Sequence, residues 1–169
     1  MRHASLALGL WLLATPTHAQ TGTGTSTVSP EAVQVIEGTW TGYLEYLDYT
    51  SEQLTQIPVR LAVRRLKEGQ PNWEIAFFYT DEPHANETQR YRLAKQGTEW
   101  GGHRIVSASQ GPEGALTLLT EANGKDNRQA AQLRYTLRVT GTELLLQKEV
   151  RYTEATDFFV RNRYVVQRD

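Results

Sequence analysis

The chain has 169 residues, no cysteine, and 18 Lys+Arg against 19 Asp+Glu, for a net charge of −1. A chain without cysteine has no disulfides, no lipobox anchor and no thiolate metal centre. Its near-neutral balance gives no general attraction to nucleic acid or to an anionic membrane.

Residues 1–19 combine a basic start at Arg2, an apolar run from Leu6 to Ala14, and small residues at Thr17 and Ala19, where a signal peptidase reads. We read them as a signal peptide, with export to a periplasmic or extracellular space and Gln20 as the mature N-terminus. The apolar run falls short of the roughly 20 residues a spanning helix needs, so no membrane span is expected. Arg2 is the one Lys, Arg, Asp or Glu in this segment. The mature chain therefore keeps 17 Lys+Arg against 19 Asp+Glu, a net charge near −2, and its 150 residues suffice for one domain.

Residues 20–28, QTGTGTSTV, carry no periodic apolar positions and read as a flexible leader. Ser29-Pro30 followed by Val33, Ile36 and Gly38 supplies a cap, a proline at the first helical position and a glycine stop. This predicts a short helical turn with Val33 and Ile36 on its apolar side. From Gly38 onward the period is two, the signal of half-buried antiparallel strands. Trp40, Gly42, Leu44 and Tyr46 share one face of the first strand; Ile57, Val59, Leu61 and Val63 repeat it, then Trp73, Ile75, Phe77 and Tyr79. Further strands are expected at 89–94, 103–109, 115–121, 131–140, 142–152 and 157–167. Turn residues at 68–71, 101–102, 111–114, Asn123-Gly124 and 140–141 link them as hairpins. Nine or ten hairpin-linked strands leave two exposed edges unless the sheet closes. The expected fold is an all-β antiparallel meander barrel over 29–169, with a β-sandwich as the alternative.

A helical turn, then Gly38-Thr39-Trp40 opening the first strand, then hairpins to the end: this order resembles the lipocalin and wider calycin barrels, whose first-strand signature is Gly-x-Trp. It is most similar to a lipocalin-like family of exported bacterial proteins without assigned activity. The resemblance implies that Trp40 plugs the narrow end of the barrel and that an Arg from near the last strand packs across its ring. Arg161 and Arg163 are the positions for that contact. The family's second signature, a Thr-Asp-Tyr in a later loop, has only Thr80-Asp81-Glu82 as an echo here, with Glu in place of Tyr.

The inward face either fills the barrel or lines a cavity. The expected lining is Trp40, Leu44, Tyr46, Val59, Leu61, Trp73, Phe77, Tyr135 and Phe158, and the eight tyrosines supply polar tips suited to a ligand of mixed polarity. Arginines fall in pairs on single faces: Arg60 with Arg64, Arg90 with Arg92, Arg134 with Arg138, Arg161 with Arg163. Facing inward they would form an anion site; facing outward they would pair with Glu45, Glu74 and Glu149 across strands. Arg134 and Arg138 oppose the apolar face Leu133, Tyr135, Leu137 and Val139, which puts them outside.

The segment 80–88 is a polar loop in which Asp81, Glu82 and His84, with His103, could hold a divalent ion or a hydrolytic pair. Their spacing matches neither a zinc nor a calcium pattern. Asn86-Glu87-Thr88 is a glycosylation sequon in a eukaryotic host. Residues 120–127 read as a second polar hairpin turn, and a haem axial ligand would have to be His84 or His103, away from the C-terminal strand. No catalytic motif and no cofactor signature is present. The sequence thus predicts a monomer binding a small apolar or amphiphilic molecule through Leu44, Tyr46, Leu61, Trp73, Phe77, Tyr135, Phe158, Arg161 and Arg163. The competing readings are a packed structural or envelope-interaction module, and a hydrolase or metal site on the 81–87 loop.

Overall fold

The computed structural model describes residues 26–48 and 53–169. Residues 1–25, which hold the expected signal peptide and most of the expected leader, lie outside them. Helix α1 (Pro30–Val33) runs into a 3-10 turn (Gln34–Ile36), and ten strands follow: β1 (Gly38–Leu47), β2 (Leu54–Arg65), β3 (Asn72–Tyr79), β4 (Glu87–Ala94), β5 (Glu99–Trp100), β6 (His103–Gln110), β7 (Leu116–Asp126), β8 (Gln129–Thr140), β9 (Glu143–Tyr152) and β10 (Phe159–Arg168). Each pairs antiparallel with the next, and β1 pairs with both β2 and β10, which closes a meander barrel. Closure consumes both sheet edges, the reason a barrel wins over a sandwich here.

The lower half of the barrel is solid. Trp40, Leu61, Trp73, Ile75, Leu116, Leu144 and Val166 are buried there, with Val33 and Ile36 of the helical segment inserted from below. Ser29 starts that segment as expected, its Oγ accepting the Ala32 N–H at 3.3 Å. Trp40 is fully buried, worth about 4–6 kcal/mol by area, and donates its Nε1–H to the Ile36 carbonyl at 2.9 Å.

The cation across Trp40 is Arg168, not Arg161 or Arg163. Its guanidinium carbon lies 4.1 Å from the ring centroid, and its two Nη atoms donate to the Glu37 and Val35 carbonyls, each at 2.7 Å. Register decides this: Trp40 stands opposite Arg168, whereas Arg163 stands opposite Glu45, five residues up the strand. The same contact explains Gly38, whose φ is +136° and whose missing Cβ would lie 2.6 Å from Arg168 Nη1. On the far side of the plug, Glu37 accepts from Trp73 Nε1 at 2.9 Å and from Arg65 Nε at 3.2 Å.

Three local expectations are corrected. Val28 is buried with its N–H on the Gly97 carbonyl at 3.0 Å, so the anchored chain begins before the helix and the leader does not extend through residue 28. Strand β7 runs through Asn123-Gly124 to Asp126, and the turn falls on Asn127-Arg128, both left-handed at φ 43° and 66°. Gly124 is there for packing: Leu133 Cδ1 occupies the space its Cβ would take, at 2.8 Å. Finally, the register of β10 shifts at Arg161. Before that bulge in the chain Phe159 faces Val150 and turns inward; after it the inward set is Asn162, Tyr164 and Val166. Phe158 is therefore outside, beneath the guanidiniums of Arg134 (3.9 Å) and Arg151 (4.8 Å).

Candidate functional site

Above the packed half lies a cavity of about 420 Å³. Its floor is Ile75 and Phe77 of β3, Leu118 of β7, Leu137 of β8 and Leu146 of β9. All five occupy inward positions of strands whose lower residues belong to the core, so the floor is the top layer of that core. Beyond the cavity a second, smaller cluster of Ala131, Leu133 and Val150, with Tyr135, Tyr152 and Phe159 against it, packs the far end.

One side wall is low because β5 has only two residues. It pairs with Leu93 and Ala94 of β4 and with His103 and Arg104 of β6. Upper β4, from Glu87 to Arg92, has its register partners in β3 alone. The cavity opens over this gap, and its lining continues to Arg90, Gly101 and His103. Rings reinforce the short strand. Trp100 stacks on Tyr91 (5.4 Å, 16°) and tilts against Trp73 (5.4 Å, 54°), while His103 stacks on Tyr135 (4.7 Å, 20°).

Polar groups ring this apolar floor. On β4 a directed chain runs from the Tyr91 hydroxyl to Gln89 Oε1 (2.6 Å) and from Gln89 Nε2 to Glu87 Oε1 (2.9 Å). Across the barrel the Tyr79 and Tyr164 hydroxyls share a hydrogen bond of 2.8 Å. Burial, then the Glu87 charge, pushes the Tyr91 phenol up to about 12. Burial also raises Tyr164, and its bond to Tyr79 raises it further; Tyr79 and Tyr135 rise by burial as well. All four remain neutral phenols near pH 7. Burial lowers His103, which keeps the imidazole uncharged there. Lys148 Nζ is 2.6 Å from Asp126 Oδ1, and Asp126 Oδ2 takes the Tyr152 hydroxyl at 3.0 Å with Arg161 Nε at 3.9 Å.

Of the residues expected to line a pocket, Phe77 and Tyr135 do so. Leu44, Leu61, Trp73, Val59 and Trp40 fill the core beneath, and Tyr46 packs on that core half-buried. Arg161 sits with Asp126 and the Leu47 carbonyl. Arg163 points outward to Glu45 at 2.7 Å. Four other arginines pair outside too: Arg64 and Arg90 with Glu74, Arg134 with Glu121, Arg138 with Glu143. Compared with protein-family models and with curated proteins, the chain matches none. The reading of the site therefore rests on its geometry.

The 80–88 segment folds as a 3-10 turn (Pro83–Ala85) closed by Asn86 Oδ1 on the Tyr79 N–H at 2.7 Å, and Glu87 already belongs to β4. Asp81 and His84 are exposed, and among the described residues no three His, Cys, Asp or Glu side chains converge on a point. His103, grouped with that loop by sequence, is instead a cavity residue. Trp100, Tyr91, Tyr164 and Lys148 were missed as lining. Tyr91 and Tyr164 carried a usable signal, since each lies in an alternating run on the side of its apolar neighbours Leu93 and Val166.

Proposed function

We propose that this protein is an exported, lipocalin-like barrel that binds one small molecule reversibly. The carrying observation is the half-open cavity of about 420 Å³, within the roughly 300–1,000 Å³ of small-molecule sites, with an apolar floor and a polar rim. Burial of the ligand's apolar body on Leu118, Leu137 and Leu146 supplies affinity, and the rim hydroxyls and amides orient it.

Native mass spectrometry of the protein isolated from its own host tests this against the denatured mass. An organic adduct lost on denaturation, and absent from Leu146→Trp, is the expected result. Equal native and denatured masses, together with no thermal shift from any apolar compound, would overturn the reading.

A further inference from the structure

The charges lining the cavity are not balanced in the same way. Arg90 and Lys148 each have a carboxylate partner outside the lining, Glu74 at 3.6 Å and Asp126 at 2.6 Å. Glu87 has only the Gln89 amide, and among the described residues no Lys, Arg or His lies within ion-pair distance of it. The hydrogen-bond chain on β4 also has a direction. Tyr91 donates to Gln89 and Gln89 donates to Glu87, so the chain ends in an exposed carboxylate whose other lone pairs face solvent and are open to a ligand donor. The Glu87 charge is felt inside: it raises the phenols of Tyr79, Tyr91 and Tyr164.

Beside this carboxylate the lining is aromatic: Phe77, the register partner of Glu87 on β3, with Tyr91, Trp100 and Tyr164, so a cation at the rim would have π systems near it as well as an anion. The two cations of the lining are each held on a carboxylate away from Glu87, Arg90 on Glu74, which it shares with Arg64, and Lys148 on Asp126, which it shares with Arg161. We propose that the cavity selects an organic cation, an ammonium carried on an apolar or aromatic body. The ammonium would sit against Glu87, and the body would rest on the Ile75–Leu118–Leu146 floor.

This rests on the ligand-binding reading, and the experiment separates the two. Naphthylmethylammonium, naphthylmethanol and naphthoate share one ring system and differ in charge; their dissociation constants are measured by calorimetry against the full chain and against Glu87→Gln. We expect the ammonium to bind about tenfold tighter than the alcohol, the carboxylate to bind weakest, and the ammonium-to-alcohol ratio to fall within about twofold in Glu87→Gln. Alcohol or carboxylate binding as tightly as the ammonium, or a preference that survives Glu87→Gln, would overturn the cation assignment and leave the cavity reading standing. No binding of any of the three would overturn both.

Discussion

Arg168→Ala should loosen the closed end of the barrel by an amount the structure sets. The substitution removes two charged-donor hydrogen bonds, to Val35 O and Glu37 O, and a cation 4.1 Å from the Trp40 ring. Arg168 is exposed, so water replaces part of each bond; about 1 kcal/mol per bond and about 0.5–1 kcal/mol for the ring contact give about 2.5–3 kcal/mol. For a domain of this size that lowers Tm by roughly 5–12 °C, read by circular dichroism on heating. Arg138→Ala is the control. Its ion pair with Glu143 is 3.6 Å long with side chains 46% and 39% exposed, and its loss should move Tm by less than about 2 °C. Equal shifts in the two variants would refute the view that Arg168 clamps the helical plug.

Gly42→Ala should open the seam that closes the barrel, because a Cβ there meets the Val165 carbonyl oxygen and lies 2.8 Å from Val166 Cα, backbone that cannot move aside. A loss of at least about 2 kcal/mol in urea unfolding is expected, and a wild-type midpoint would show that β1 and β10 are not so closely apposed. His103→Phe should flatten the acid side of the stability profile. Burial depresses the folded pKa below 6.5, so as pH falls through that value the unfolded chain binds a proton that the folded chain does not. Stability is thus intact above about pH 7 and declines below it until the folded imidazole also protonates. Phe keeps the stack on Tyr135 without the titration, so the Tm lost between about pH 7 and pH 5 should be smaller in the variant; equal losses would place the pH dependence elsewhere.

Where two-residue alternation is long and uninterrupted, the sequence reveals the structure. Trp73, Ile75, Phe77 and Tyr79 all face inward as read, and Trp40 closes one end. Alternation fails at points where the backbone departs from it. One extra residue at Arg161 inverts the alternation read for the residues before it, which put Phe158 in the interior on paper and beneath the outer guanidiniums in fact. The left-handed pair Asn127-Arg128 makes the turn that Asn123-Gly124 advertised more strongly, because sequence cannot separate a glycine needed for φ from one needed to admit Leu133. Strand β5, at two residues, has no period to detect, and the non-glycine residues Lys95 and Gln96 before it adopt positive φ.

That short strand is also what makes the cavity. A two-residue strand cannot form a full ladder with upper β4, so the wall stops at Trp100 and the interior opens above it. So short a strand is held in place largely by side chains, and here by the ring contacts of Trp100 to Tyr91 and Trp73. Trp100 is therefore a core residue and a cavity residue at once, its position fixed by packing that exists with or without a ligand. Glu87 is the opposite case, an exposed side chain on the same opening with one amide to hold it. In the proposed binding role, the apolar floor, fixed by the fold, would set the size of what enters, and the exposed Glu87 at the rim the charge of what stays.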